Sequence, residues 1–345
     1  MAPAPDGSPP PTDGSDDDRP HSFSWHADRV VDRFGELRIL ALVPLLVTVL
    51  NVEAVRRTVG SAGRGFTVGV KFLFPAPLSS LWTFTDPPAP AVPFRDERRI
   101  GDSTVGAVQP ETTPRRRSGF GTDVTIQTPI ENVELPLEAI GVELGARIGL
   151  LVVAYAVISG ILMAAYVGGI DRLLRGNPVS VPACVTTYAP RFVLYNLVAF
   201  AGFLLLIPAV AMGPVGLVLA FPALLLVGYL FYPVPFLFVV SDAPFLEAFR
   251  RAVRLTGAGG PPLRFALWHL AAGVAVSLVL SLLVNLGVPG FLFALGISAP
   301  VALLLTATTV SFFQEYDGDE RFSDDEPSSS GREPFETDED GWAAN

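Results

Sequence analysis

Six apolar segments, each close to the length that crosses a lipid bilayer, recur along this chain. Half of its 345 residues are hydrophobic and its mean hydropathy is +0.45, which is above the usual range of water-soluble domains. The hydrocarbon core of a bilayer takes about 20 helical residues. The sequence therefore predicts an all-α, polytopic transmembrane helix bundle with six spans at 35–52, 145–168, 192–213, 215–240, 264–286 and 290–312.

Two of these spans depart from a plain apolar helix. The first has a short apolar run, 39–52, and needs residues 34–38 to extend its side chains toward the membrane interface. The fourth contains Pro222, Pro233 and Pro235. Proline removes a backbone donor and clashes with the preceding turn, so this span is predicted to be kinked. Few residues separate spans three and four, or five and six, which predicts antiparallel hairpins.

The distribution of arginine predicts an orientation. The connections after spans two and four carry Arg172, Arg175, Arg191, Arg250, Arg251, Arg254 and Arg264. The short connections near Pro214 and Gly287 carry no basic residue. Because Lys and Arg are enriched in cytoplasmic loops, the arginine-bearing connections are predicted to be cytoplasmic. We expect a multi-pass protein of the cell membrane with both termini in the cytoplasm and residues 53–144 outside.

Both ends of the chain are polar. The first twenty residues lack the basic and apolar regions of a signal peptide, and 1–28 is predicted to be a disordered tail. Residues 314–345 hold 12 acidic residues and two arginines, which accounts for the whole net charge of −10. They predict a second, acidic disordered tail. Between the tails lie the first span with its amphipathic lead-in (29–52), the outer loop (53–144) and a five-span bundle (145–313).

The outer loop is predicted to be partly β and to touch the membrane surface. Apolar residues alternate in GFTVGVKFLF (65–74), which is the period of a strand, and DVTIQT (123–128) is a second candidate. Trp82 is predicted to anchor the loop at the membrane interface, where tryptophan is enriched. Trp268, near the start of the fifth span, is predicted to be a similar anchor.

The stretch FVVSDAPFLEAFRRAVRLTGAGG (238–260) predicts a short amphipathic elbow helix, with Asp242 as its cap and Gly257 as its stop. Its predicted apolar stripe is Phe245, Phe249, Ala252, Val253 and Thr256. Its predicted polar face is Glu247, Arg250, Arg251 and Arg254. Such helices are typical of the membrane interface, where arginines meet lipid phosphates. A structural elbow is the preferred interpretation, and a surface that binds a partner or lipid is the alternative.

A similar elbow, with Arg172 and Arg175, follows the second span. Together YVGGIDRLLRGNPVSVP (166–182) and FLFVVSDAPFLEAFRRAVRLTGAGG (236–260) resemble uncharacterised six-helix membrane proteins related to the membrane domain of glycerophosphoryl diester phosphodiesterases, particularly their archaeal members. The resemblance covers 35–52 and 139–312. It implies a six-helix membrane fold with cytoplasmic elbows, and it implies no particular activity because that of the group is largely undefined.

The sequence contains no pattern that predicts catalysis or cofactor binding. Its histidines are His21 and His26, in the predicted tail, and His269, while Cys184 is its single cysteine. None of these has the spacing of metal ligands, and Lys71 does not end a phosphate-binding loop. We therefore expect a protein that is not an enzyme and has no cofactor or metal. The expected partners are the lipid bilayer and other proteins, not nucleic acid.

A polar stripe runs along the fifth span. Its members, four residues apart, are His269, Gly273, Ser277, Ser281 and Asn285. Small and polar residues at this spacing let membrane helices approach and hydrogen-bond, so a helix-packing seam is the preferred interpretation and a solute-lining face the alternative. The expected function is correspondingly a membrane-organising or partner-binding protein that uses its acidic tail or outer loop. The alternative is a small-solute permease or the membrane subunit of a transporter.

Overall fold

The computed structural model describes residues 21–60, 68–71, 73–87, 142–205 and 214–324, and every regular element within them is helical. The helices are α1 (Phe23–Asp32), α2 (Phe34–Leu37), a 3-10 helix (Arg38–Ala41), α3 (Leu42–Leu50), α4 (Val52–Gly60), α5 (Leu81–Phe84), α6 (Val142–Leu174), α7 (Val181–Leu204), α8 (Pro214–Phe231), α9 (Val234–Val240), α10 (Phe245–Gly257), α11 (Pro261–Val284) and α12 (Val288–Asp324). The all-helical prediction is confirmed for these residues.

Four helical segments in the described part of the chain are long and apolar enough to cross a membrane. They are Ala146–Leu174 in α6, Ala220–Val240 in α8 and α9, Pro261–Val284 in α11, and Val288–Tyr316 in α12. A fifth candidate is the pair Phe34–Leu50 and Val52–Gly60, which is bent by 70°. The apolar helices suggest an integral membrane protein.

The count of six spans is not confirmed. The first predicted span is the bent pair, whose break at Asn51 falls just before the predicted end at residue 52. The third was predicted at 192–213, where the structure has α7. This helix is not apolar enough to be one of the candidate spans. Arg191 and Asn196 lower the mean hydropathy of α7, and the apolar residues 206–213 lie outside the described residues. The predicted kink of the fourth span is confirmed by the break between α8 and α9.

The second predicted span is too short, and no separate elbow helix follows it. Helix α6 continues without interruption from 168 to Leu174, so Arg172 lies in its last turn. Gly176 then ends the helix, with a φ of 74° and its N–H donating to the carbonyl of Leu173. A left-handed glycine beyond the last turn is a common helix stop. The first elbow is therefore the end of α6 itself.

Helices α6 and α7 form a closely packed pair because glycines remove side chains where they touch. A Cβ atom on Gly160 would lie 2.9 Å from the backbone nitrogen of Val193, and one on Gly168 would lie 3.0 Å from the Sγ of Cys184. Small residues at such positions allow membrane helices to pack backbone to backbone. Gly168 is therefore a packing position inside α6, and the helix continues beyond it.

Helix α12 lies at the centre of the described bundle, where it packs against α1, α3, α6, α9 and α11. Aromatic rings fill the space around it: Phe312 stacks on Phe265 of α11 with ring centroids 4.2 Å apart, and Phe313 stacks on Phe236 of α9. Its buried Thr306 and Thr309 donate to carbonyls of their own helix. The hydroxyl groups of these two threonines are thus satisfied within α12, which leaves the surface around them free for apolar packing.

Helix α1 docks on the last part of α12, inside what was predicted to be a disordered tail ending at residue 28. His26 is fully buried, and its Nδ1 lies 3.1 Å from the Oγ of Ser311. His21 Nδ1 lies 2.8 Å from a carboxylate oxygen of Glu315. The two predicted tail boundaries therefore fall within helices that contact each other, and both lie at the same end of the bundle.

Candidate functional site

A mostly non-helical stretch lies inside the bundle at the end where α11 turns into α12. We call residues 68–71 and 73–87 the inserted segment. Its one helical turn, α5, contacts α3, α11 and α12, and all three large apolar side chains of that turn, Leu81, Trp82 and Phe84, are buried. This part of the chain was predicted to be an outer loop that reaches the membrane surface. It is instead packed against the helices.

Two serines of α11 hold the backbone of the inserted segment. The N–H of Gly69 donates to Ser281 Oγ at 3.2 Å, and this hydroxyl lies 3.0 Å from the carbonyl oxygen of Gly69. The N–H of Lys71 donates to Ser277 Oγ at 3.1 Å, and Ser277 in turn donates to the carbonyl of Phe84. Backbone without secondary structure needs such partners wherever water is excluded. The serines supply them.

The predicted polar stripe of α11 therefore divides into two parts. Ser277 and Ser281 form a seam, but with the inserted segment and not with another helix. Asn285 donates to the carbonyl of Ser281 at 2.7 Å and so folds back on its own helix end. His269 and Gly273 lie further toward the other end of α11, where both are buried. The stripe is thus not one continuous surface, because a straight row of residues four apart drifts around a helix with 3.6 residues per turn.

Lys71, the only lysine of the chain, ties the two halves of the inserted segment together. Its Nζ lies 2.7 Å from Asp86 Oδ1 and donates to the carbonyl of Trp82 at 2.9 Å. The Lys71 side chain is only 10% exposed. A buried ammonium group is tolerated only when it is paired and hydrogen-bonded. The pair therefore closes residues 71–86 into a loop held on the bundle.

Trp82 is a core residue and not an interface anchor, so that prediction was wrong. Its Nε1 donates to the carbonyl of Thr48 at 2.8 Å, and the N–H of Leu81 donates to Thr48 Oγ1 at 3.0 Å. Its ring stacks on Phe291 of α12. The indole finds a buried acceptor near the broken end of α3, where carbonyls lack helical partners. Trp268 is 57% exposed on α11, and its role as an anchor stays a prediction.

The predicted β-structure of the outer loop is not confirmed. The described part of the first candidate strand, 68–71 and 73–74, has no strand pairing. Its backbone bonds go to the side chains of α11, which take the place of a neighbouring strand. Residues 65–67, 72 and the second candidate, 123–128, lie outside the described residues.

The second elbow is present as a separate helix, α10, which ends at the predicted Gly257 but does not begin with the predicted cap. The residue before α10 is Pro244, and no side chain caps the helix. Asp242 has a φ of 51° and its Oδ1 lies 2.6 Å from an Nη1 of Arg191 on α7. This arginine takes the carboxylate that was expected at the cap. The left-handed glycines that follow the helix are at 259–260, and not at Gly257.

The apolar face of α10 is also rotated relative to the predicted stripe. Its buried residues are Ala248, Ala252, Leu255 and Thr256, while Val253 is 43% exposed. These residues pack against α8, α9 and α11, so the buried face contacts protein. On the polar face, Glu247 pairs with Arg251 at 3.0 Å. Arg250 and Arg254 are exposed. Placement of α10 in the membrane interface stays a prediction.

Three arginines close the ends of helices. An Nη1 of Arg33 lies 2.7 Å from the last carbonyl oxygen of α6. An Nη2 of Arg175 lies 2.9 Å from the last carbonyl oxygen of α9, and Arg191 donates to the carbonyl of Phe238 in the same helix. Helix C-termini carry partial negative charge and unpaired carbonyls. Guanidinium groups satisfy both, so this end of the bundle is held by arginines.

Several residues that build these contacts gave no signal in the sequence. Thr48, Asp86, Asp171 and Gln314 are isolated polar residues in or beside apolar segments, and each acts through a partner far away in the chain. Among the described residues, no group of three or more His, Cys, Asp or Glu is placed to hold a metal ion. The arrangement instead consists of structural contacts that hold non-spanning chain onto a helix bundle.

No family model matches this chain, and neither a curated protein nor a solved structure matches it. The resemblance to the membrane domain of glycerophosphoryl diester phosphodiesterases therefore stays a prediction.

Proposed function

We propose that this chain is a non-enzymatic, partner-binding protein of the cell membrane, and that its helix bundle anchors the outer residues 88–141 for contact with a partner protein. The observation that carries the proposal is the inserted segment. Its backbone is bound by Ser277 and Ser281, and its end is fixed by the ion pair between Lys71 and Asp86. Residues 88–141 thus start next to a clamped position and end at α6.

The clamp is more than a simple connection between α4 and α6 requires. Holding extended backbone and an ion pair inside a bundle costs conformational entropy and desolvation. Such a cost is reasonable where the position of the following residues matters for binding. The triple arginine at 115–117 favours contact with an acidic patch of the partner, whereas 95–99 combines three arginines with Asp96 and Glu97. The contact between α1 and α12 supports the proposed topology, with both termini on the cytoplasmic side and 88–141 outside.

Site-specific photo-crosslinking in native membranes tests this proposal. A photoreactive residue is placed at Val105, in the outer residues, and in a second protein at Ser330, in the acidic tail. We expect a protein adduct of one defined mass from Val105 and none from Ser330. An adduct from Ser330 alone would transfer the partner surface to the tail. The absence of an adduct from both positions would overturn the partner-binding proposal.

A small-solute permease is the second candidate, and one observation favours it. His269 is 6% exposed and its Nδ1 has no hydrogen-bond partner among the described residues. A Cβ atom on the buried Gly273 would meet nothing within 4 Å. Space and an unpaired polar atom therefore lie next to each other on α11. Against this candidate, Ser277 and Ser281 are occupied by the inserted segment.

The two candidates differ in a flux measurement. Proteoliposomes that contain the chain are exposed to an osmotic step of urea or glycerol, and their shrinkage is followed by light scattering. If the chain is a permease, the proteoliposomes should recover their volume faster than empty liposomes do. Proteoliposomes with Gly273→Leu, in which leucine fills the space, should then recover more slowly than those with the parent chain. Recovery equal to that of empty liposomes would remove this candidate for these solutes.

A further inference from the structure

A shallow groove lies between α8 and α10, and its lining combines aromatic rings with free arginines. Its volume is about 780 Å³, and its walls are Phe231, Glu247, Phe249, Arg250, Val253 and Arg254. This volume is in the range of sites that bind small organic ligands. Unlike the buried face of α10, the groove is open to the surroundings of the protein, so its occupant comes from outside the described chain.

The described residues leave the positive charge of the groove without a counterion. Glu247 is the one acid in the lining, and it is already paired with Arg251. Neither Arg250 nor Arg254 has a hydrogen bond or ion pair with another described residue, and both side chains are exposed. Residues four apart project from the same side of a helix. The two guanidinium groups are therefore available together to one anion.

The apolar wall of the groove continues onto a helix surface that suits lipid. Helix α8 has 18 residues, which at 1.5 Å per residue span about 27 Å, close to the hydrocarbon thickness of about 30 Å. Phe231 is its last residue, so the groove lies at the end of α8, next to the break between α8 and α9. Exposed apolar residues of α8, among them Val218, Phe221 and Leu226, lead along the helix to that point.

We propose that this groove binds one anionic phospholipid. Its phosphate is held by Arg250 and Arg254, and one acyl chain lies on Phe231, Phe249 and Val253. Guanidinium groups suit this role because they donate in a fixed fork that matches phosphate oxygens. Charge and apolar surface occur side by side in the groove, as the phosphate and the acyl chains do in a phospholipid. The proposal does not rest on the partner-binding function.

Native mass spectrometry of the full chain in mild detergent tests the site, with phosphatidylglycerol and phosphatidylcholine as probes. We expect one phosphatidylglycerol per chain at concentrations where phosphatidylcholine does not bind. The variant R250Q/R254Q should lose at least about tenfold in affinity for phosphatidylglycerol, which corresponds to about 1.4 kcal/mol. The matched control R38Q/R264Q removes two other exposed arginines and should stay within about twofold of the parent.

Further arms of the same experiment keep the proposal falsifiable. The variant R250K/R254K preserves charge and should bind with intermediate affinity, which also covers the case in which the glutamine variant fails to fold. Soluble glycerol phosphate should not displace the lipid, because it has no acyl chain to occupy the groove. Equal binding of both lipids, or an equal loss in R38Q/R264Q, would overturn the proposal. So would a dimer whose second copy fills the groove.

Discussion

At one end of α12 the ring of Trp82 stacks on Phe291, and at the other end Gln314 donates to Asp171 of α6. The two contacts are about 35 Å apart along the helix. Near the first, hydroxyl groups of Ser277 and Ser281 hold backbone that has no secondary structure. Near the second, arginine guanidinium groups hold the ends of helices that are already formed. Both ends bind chain onto the bundle, with different chemistry.

The serine end and the arginine end differ in whether water can replace a contact that is lost. The serines that hold the inserted segment are 0% and 2% exposed, so their hydroxyl groups bond its backbone where little water is present. The arginines at the other end are partly exposed, with 43% for Arg175 and 25% for Arg191. Water can replace much of what they contribute. We therefore expect single changes to be costly at the serine end and mild at the arginine end.

The largest effect is expected from S277A/S281A. The variant removes the hydroxyl groups that accept from the N–H groups of Gly69 and Lys71 and that bond the carbonyls of Gly69 and Phe84, and each lost bond costs about 1 kcal/mol. We expect the free energy of unfolding in a denaturing-detergent titration to fall by about 4 kcal/mol. The control S298A removes a buried hydroxyl that bonds only within α12, and it should cost less than about 1 kcal/mol. Equal losses in the two variants would break the comparison.

The next effect concerns the ion pair of the inserted segment. K71M removes the cation whose Nζ lies 2.7 Å from Asp86 Oδ1, and we expect the free energy of unfolding to fall by about 2 kcal/mol. K71M/D86N should lose less than the sum of the two single changes, since the shared contact is lost only once. A double-mutant cycle measures the coupling. If the two single losses simply add, the pair contributes nothing, and the clamp depends on the serines alone.

The sequence predicts the helices well because their determinants are local. The apolar length of the segments that became α6, α11 and α12 is sufficient to identify them, and the prolines mark the break between α8 and α9. Helix α10 follows from its alternation of apolar and charged residues. Its rotation does not, because Val253 and Leu255 are equally apolar, and which of them is buried depends on where α8, α9 and α11 lie.

The inserted segment was beyond prediction for a physical reason. Its alternating apolar residues have the period of a strand, and the sequence does not show that the partner would be two serines some 200 positions later. Trp82 likewise has the composition of an interface anchor, and only the open end of α3 beside it changes its role. The arginine end shows the same limit: Arg175 is visible as a charge, but its acceptor at the end of α9 is not.

A smaller effect concerns α1, which docks at the arginine end through His26. Burial lowers the pKa of His26 to about 4, although the carboxylate of Glu315 opposes the shift and His21 and Arg29 add to it. Between the ordinary value of 6.5 and about 4, the released helix binds a proton that the docked helix does not. Docking is therefore complete above pH 6.5 and weakens as pH falls, by about 1 kcal/mol between pH 6 and pH 5.

Spin labels on the exposed Asp32 of α1 and Leu246 of α10 measure this release, in a background with Cys184→Ala. The distance distribution should be narrow at pH 7 and broaden by pH 5. The matched variant H26Q keeps a polar group opposite Ser311 without the titration, so its distribution should change much less. Broadening of the same size in H26Q would assign the effect to a group other than His26.

The smallest effect is expected from R175A, at the same end as α1. The change removes the donor to the last carbonyl of α9, but Asp171 keeps its bond from Gln314 at 2.8 Å. We expect the free energy of unfolding to fall by about 1 kcal/mol. R172A is the control. Arg172 and Arg175 were both predicted as arginines of the first elbow, but Arg172 makes no such contact with a carbonyl, so R172A should cost less than about 0.5 kcal/mol. If R175A costs as much as S277A/S281A, water does not replace the guanidinium group. The arginine end would then exclude water as well as the serine end does.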